Sequence, residues 1–317
     1  MKQVARFAWR WIGPVVFLGL VWYVDLSRVG EVWQRGAASL LVAAATLNIA
    51  IILVKAWRWR QLMRLQGIDY SYWPAVRYYA MGCAMAAWTP GRLGDFSKAL
   101  AIHHDRKVGL GMAASSVIAD RLLDAVMLGV VASVGAFFLP GAKGIWLAAG
   151  GLAAVVLGIF FLARAHRTGL ARASAARVVG AFGAAGSEVG AAIDGLAGLA
   201  RLGLAGPVAA TAAATLITFL QGFLMARSLG LEVGFWVLSV ALAAVSVTSL
   251  APVSIAGLGT REATLALFLL PRGITMEEIL GYSVAYFVII SGSVALLGAV
   301  AWMVRPAPAS HKAGAGA

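Results

Sequence analysis

Long apolar runs separated by short charged breaks dominate the chain. The runs cover residues 9–24, 40–56, 75–88, 113–139, 145–163, 207–226, 235–250, 263–270 and 279–304. A helix rises about 1.5 Å per residue and needs about 20 apolar residues to cross roughly 30 Å of hydrocarbon, so the longer runs predict transmembrane helices. Their continuous hydrophobicity lacks the alternation of barrel strands. Residues 75–88 make a helix only about 21 Å long, and the piece after "GRLGD" is shorter still. Such lengths predict pairs of half-helices that enter and leave the bilayer on one side. The expected fold is all-α: a polytopic transmembrane helix bundle.

Two of the breaks resemble each other. "AAWTPGRLGDFSKAL", 86–100, and "APVSIAGLGTRE", 251–262, each combine proline, glycines, an arginine and a following carboxylate. Pro90 and Pro252 lie 252 − 90 = 162 residues apart, and the same shift lays several apolar runs onto one another. The halves are therefore expected to be internal repeats. Half 1 covers about 7–139 with a hairpin at 74–100; half 2 covers about 145–304 with a hairpin at 235–270; an interfacial linker spans 165–203. Three crossings separate the hairpins, an odd number, so they should enter from opposite faces. That is the inverted-repeat plan, which in transporters puts the substrate site where the halves meet. Residues 1–305 then form a single transmembrane domain, followed by an Ala/Gly-rich disordered tail at 306–317.

The breaks also carry the candidate chemistry. In the first, Pro90 ends a half-helix and Gly91 and Gly94 permit unwound backbone, leaving N–H groups at the next helix start, where anions bind. Arg92 and Lys98 add positive charge, and Asp95 caps the helix or orients Arg92. In the second, Gly257, Gly259, Arg261 and Glu262 repeat the pattern, with Ser254 and Thr260 as hydroxyl donors. The plainer reading pairs Arg92 with Asp95 and Arg261 with Glu262 as neutralised kinks. A charge at bilayer depth costs about 2.5–3.5 kcal/mol on insertion scales, which favours function. A third cluster, Asp120, Arg121 and Asp124, falls inside the run that starts near 113. Asp120 and Asp124 share a helix face, and Arg92 and Lys98 are their expected partners.

Composition fixes the environment. The chain has 317 residues, 61% hydrophobic and 12% charged, with a mean hydropathy of +0.86, which no soluble interior could absorb. The net charge of +13 sits mainly beside apolar runs, so it reads as orientation signal and not as a nucleic-acid surface. Lys2, Arg6 and Arg10 before the first run, Lys55, Arg58, Arg60 and Arg64 after the second, and Arg305 and Lys312 near the end predict cytoplasmic termini in the inner (cytoplasmic) membrane. The first run lacks a cleavage motif and is expected to be retained. Trp22, Trp33, Trp57, Trp59, Trp73, Trp146 and Trp302 lie near run ends, as interfacial anchors do. One cysteine, Cys83, excludes an internal disulfide, and four histidines without ligand spacing point to no metal. "HHD" at 103–105 lacks the His-x4-Asp spacing of acyltransferases. No nucleophile with a placed base is visible, so no catalytic residue and no cofactor are assigned.

At these three stretches the sequence resembles the lysylphosphatidylglycerol synthase transmembrane-domain family of flippase-like membrane proteins. Its motifs resemble P-x-R-x-G-E/D with a following basic residue, E/D-R-x-x-D, and P-x-S-x-x-G-x-G-x-R-E. Here they read Pro90, Arg92, Gly94, Asp95 and Lys98; Asp120, Arg121 and Asp124; and Pro252, Ser254, Gly257, Gly259, Arg261 and Glu262. Asp95 and Asp120 stand where Glu is commoner, and Lys98 where Arg is. The resemblance implies a lipid translocase, not an enzyme. In the multiple peptide resistance factor, similar domains move aminoacylated phosphatidylglycerol and are fused to a soluble aminoacyl-transferase domain. These 317 residues show no such domain, so lysyl-lipid synthesis is not expected. The implied cargo is an anionic or glycosylated phospholipid or a polyprenyl-phosphate lipid. A lipid-synthesis enzyme and a second copy of the chain are the partners this reading admits. The competing readings are an intramembrane lipid-modifying enzyme and a non-transporting subunit of a lipid or cell-envelope synthesis complex.

Overall fold

The computed structural model describes residues 22, 30–31, 33–34, 36–87, 89–136, 195–196, 203–248 and 259–304. The expected spans at 9–24 and 145–163, most of the linker, Ser254, Gly257 and the tail lie outside the described residues. Among those described, the elements are α1 (Ala38–Leu65), α2 (Tyr72–Ala87), a 3-10 segment (Pro90–Phe96), α3 (Ser97–Arg106), α4 (Leu110–Ala136), α5 (Ala205–Ser228), α6 (Phe235–Thr248), α7 (Thr260–Leu269), α8 (Met276–Tyr286), a π-helical turn (Phe287–Ser291) and α9 (Gly292–Met303). The fold is all-α, with no strand among the described residues. In hydrocarbon a helix satisfies its own backbone, which is why the apolar runs take this form.

Among the described residues three stretches are long and apolar enough to cross a membrane: Ala38–Leu65, Ala205–Ser228 and Met276–Met303. The last is one helix with a π turn in its middle. α4 has 27 residues, about 40 Å, but carries Asp120, Arg121 and Asp124 along its inner half.

α1 packs along α5 at the centre, α2 against α9, and α6 against α4. Both α1 and α5 end in a left-handed glycine, Gly67 (φ 78°) and Gly230 (φ 77°). After each, a backbone bond of 2.9 Å reaches back across the cap, from Ile68 to Met63 and from Leu231 to Ala226. Adding 163 to the first set gives the second. The same shift carries α3 at 97–106 onto 260–269, the bounds of α7, and α2 at 72–87 onto 235–250, against 235–248 for α6. It also carries Gly135 onto Gly298. A Cβ on Gly135 would meet Val240 Cγ2 at 2.2 Å, and one on Gly298 would meet Ala84 Cβ at 2.3 Å, so each glycine lets two helices touch closely, α4 with α6 and α9 with α2. The proline spacing of 162 is thus one residue from the register of the helices.

In the first short pair the two outer ends meet. Tyr70, just before α2, donates to Asp105 Oδ2 near the end of α3 at 2.7 Å, and so does Tyr78. α6 packs on α7, and the two helices contribute to one larger apolar cluster with α5 and α8. Arg60, Arg64, Arg77, Arg106 and Lys107 gather at the end where α2 begins. The start of α6 lies at the other end, beside Ser228, whose carbonyl accepts from Ala37 N–H at 2.9 Å.

Candidate functional site

The first break is built by glycine and threonine. Thr89 Oγ1 accepts the Gly94 N–H at 2.7 Å, and a Cβ on Gly94 would lie 2.4 Å from the Met85 carbonyl carbon. Only glycine lets the 3-10 segment fold back this closely over the end of α2. Arg92 sits at its crest with φ 58°, a left-handed conformation that an L side chain adopts at a cost of about 1–2 kcal/mol. Arg92 is exposed, and among the described residues it has no ion-pair partner.

Behind the crest lies a closed ring of alternating charge. Asp124 accepts from Arg58 at 2.6 Å, Arg58 pairs with Asp120 at 2.6 Å, and Asp120 with Lys98 at 3.3 Å. Lys98 pairs with Asp95 at 3.1 Å, Asp95 with Arg121, and Arg121 reaches Asp124 at 4.0 Å. Lys55 attaches to Asp124 from outside at 2.8 Å. The ring joins α1, the first break and α4. Tyr79 completes it, donating to Asp120 Oδ2 at 3.0 Å while its ring lies 4.0 Å beneath the Lys98 ammonium. Gly82 makes room for this lysine, since a Cβ there would sit 2.7 Å from Lys98 Cγ. Buried charges survive in low dielectric only with such mutual pairing.

These contacts correct four expectations. Asp95 pairs with Lys98 and Arg121, not with Arg92. The partners of Asp120 and Asp124 include Lys98, as expected, but Arg92 is replaced by Lys55 and Arg58. Those two were read as orientation charges beyond the second span, whereas α1 runs on to Leu65 and buries Arg58 completely. Trp59, read as an interfacial anchor, is fully buried and donates from its indole to Ser116 Oγ at 3.1 Å. The helix itself could have been extended, since Ala44, Asn48, Ile52, Ala56, Trp59 and Met63 continue one stripe at helical spacing past the basic residues, but that stripe does not say what Lys55 and Arg58 meet.

The second break is quieter. Gly259 (φ 80°) starts α7, and its N–H donates to Glu262 Oε2 at 2.6 Å. Glu262 also accepts from the Ser283 hydroxyl, so it is tied to α8 and not to Arg261. Arg261 donates to the Ser283 carbonyl at 3.1 Å and lies 5.3 Å over the Tyr286 ring. The expected amide cradles are therefore filled at Gly94 and Gly259 by the chain's own oxygens. Under the 163 shift Arg261 corresponds to Lys98, and Arg92 has no arginine counterpart.

One cavity of about 310 Å³ unites these parts. Arg92 and Thr89 from the first break, Arg261 from the second, Lys55 from α1, and Arg121 and Asp124 from α4 all line it. Asn48, Gln221 and the π-helical turn at Ile290 and Ser291 complete the wall; Asn48 Nδ2 holds that turn by bonds to Ile290 O at 3.3 Å and Ser293 Oγ at 2.6 Å. Lys98, Asp120, Asp95 and Glu262 stand behind the wall, each fully buried. Among the described residues six cations (Lys55, Arg58, Arg92, Lys98, Arg121, Arg261) meet four carboxylates (Asp95, Asp120, Asp124, Glu262), which leaves two positive charges in and behind this wall. Guanidinium groups, with their forked donors, suit phosphate and carboxylate. Among the described residues no three His, Cys, Asp or Glu side chains group as a metal site.

The family model described as the lysylphosphatidylglycerol synthase TM region matches residues 10–298. Comparison with curated proteins and with solved structures returned no match.

Proposed function

The chain belongs to the lysylphosphatidylglycerol synthase TM-region family of membrane proteins, which is related to lipid synthesis or translocation, and from that premise we propose that it is a lipid translocase. Its cargo is an anionic or glycosylated phospholipid or a polyprenyl-phosphate lipid, moved across the cytoplasmic membrane. The observation that carries this reading is the shared cavity: Arg92 and Arg261, on breaks far apart in sequence, line the same space with an excess of positive charge. The headgroup binds there, its phosphate held by Arg92, Arg121 and Arg261. The ion ring holds Arg121 and the first break in place when the site is empty.

The two interrupted pairs act as re-entrant hairpins inserted from opposite faces. Support comes from the Tyr70 to Asp105 contact at one end, the α6 and α7 cluster at the other, and the 163-residue register of helix bounds and caps. Rocking of one repeat against the other changes which leaflet reaches the cavity. The basic end of the bundle, with Arg60, Arg64, Arg106 and Lys107, is the cytoplasmic face in this reading.

The test is reconstitution into vesicles of phosphatidylethanolamine and phosphatidylglycerol with headgroup-labelled phosphatidylglycerol. Wild type should move label between leaflets, while Arg92→Ala and Arg261→Ala should slow it. Equal, protein-independent movement for all three across anionic lipids, including a polyprenyl phosphate, would overturn the reading.

A further inference from the structure

A second cavity, of about 760 Å³, lies between α4, α5 and α6. Along α4 it runs from Met127 to Gly135, about 12 Å. Val130, Val134, Leu216 and Trp236 line it and are themselves exposed, so it opens sideways out of the bundle. Two of its polar side chains bond back to the chain: Ser239 Oγ donates to Phe235 O at 2.8 Å, and Arg272 Nη1 donates to Phe268 O at 2.6 Å. A peptide segment laid here would find few partners for its backbone.

Thr215 and Phe219 belong to the walls of both cavities. The apolar groove therefore adjoins the charged cavity across these two side chains. A charged chamber beside an apolar trench has the two-part character of an amphiphile. A soluble anion would use the first part and leave the second empty.

We propose that this groove holds one hydrocarbon chain of the lipid whose headgroup occupies the charged cavity. The proposal rests on the translocase reading above and deepens it, because it requires a lipid and not a free anion. Burial of a methylene there is favourable relative to water, whereas against bilayer hydrocarbon the gain is confined to fit, so the groove positions the lipid more than it binds it. The groove sits towards the end where α6 begins, opposite the basic residues. In this conformation the site is thus open sideways to the leaflet on that face.

The experiment uses the full chain in phosphatidylethanolamine vesicles containing phosphatidylglycerol with a photoactivatable diazirine at the end of one acyl chain. After irradiation, cross-linked peptides should map to α4 near Val134, α5 near Leu216 and α6 near Trp236. Leu216→Trp and, separately, Val134→Trp fill the groove from exposed positions that tolerate bulk. Each should lower cross-linking there about tenfold, the factor for about 1.4 kcal/mol. Label spread equally over lipid-facing positions such as Leu296 and Val300 of α9, unchanged by both tryptophans, would overturn the proposal. The two readings fail separately: loss of transport in every lipid with cross-linking intact removes the translocase, whereas arginine-dependent transport with evenly spread label removes the groove.

Discussion

Arg58 on α1 and Asp120 on α4 meet at 2.6 Å with neither side chain accessible. The guanidinium also donates to the Asp120 carbonyl at 3.1 Å, to Asp124 at 2.6 Å and to Thr211 Oγ1 at 3.0 Å. One side chain thus ties α1 to α4 and α5. Removing it leaves Asp120 with Lys98 and Tyr79 alone, and Asp124 with Lys55 and the more distant Arg121.

Arg58→Met should therefore destabilise the protein by about 3–5 kcal/mol, the cost of breaking a buried ion pair from one side. Arg58→Lys should recover only part, because an ammonium cannot bridge two carboxylates with a fork. Thermal unfolding in detergent checks both, and a wild-type melting temperature for Arg58→Met would contradict the ring's structural role.

Glycines on the last span give a contrast within one helix. A Cβ at Gly298 would meet Ala84 Cβ at 2.3 Å, while one at Gly292 meets nothing within 4 Å. Gly298→Ala should push α9 off α2 and cost about 1–3 kcal/mol from overpacking. Gly292→Ala should be neutral or stabilise by up to about 1 kcal/mol through helix propensity. The same melting assay reads the pair, and equal shifts would show that the α2 to α9 contact is not as close as described.

The helices were legible because bilayer thickness and hydropathy dictate them: the run at 207–226 became Ala205–Ser228, and the interruption at "TPGRLG" became the 3-10 segment Pro90–Phe96. The candidate residues Arg92, Arg121, Asp124 and Arg261 were legible as charges where charge is expensive. Arg58 and Lys55 were not, because a basic residue near the end of an apolar run looks the same whether it faces headgroups or a buried carboxylate. Deciding that needs the partner, and Asp120 lies 62 residues away. The functions of Gly94 and Glu262 were half legible: their place at a helix break was visible, but not that neighbouring chain atoms already occupy the amides.

Acid should loosen the contact between α2 and α3, and neutral pH should leave it intact. Burial alone would raise the Asp105 carboxyl, but the phenol hydrogen bonds of Tyr78 and Tyr70 outweigh it and hold the group below its ordinary value. A depressed carboxylate contributes stability that is complete above its unfolded value of about 3.9 and lost as pH falls through the folded value. Wild type should therefore exceed Asp105→Asn in stability by a constant margin from pH 6 to 8, with the margin closing below about pH 4. A margin that grows on acidification would reverse the sign assigned to this group.

The most direct test of the central claim is a double-mutant cycle on transport of headgroup-labelled phosphatidylglycerol by reconstituted protein. Arg92→Ala and Arg261→Ala should each lose about ten- to a hundredfold, the range for a hydrogen bond to a charged group. If both arginines hold one headgroup, the double variant should depart from the product of the single losses by more than about 0.5 kcal/mol. Losses that multiply independently, or a wild-type rate in either single variant, would mean that the two breaks do not serve one site.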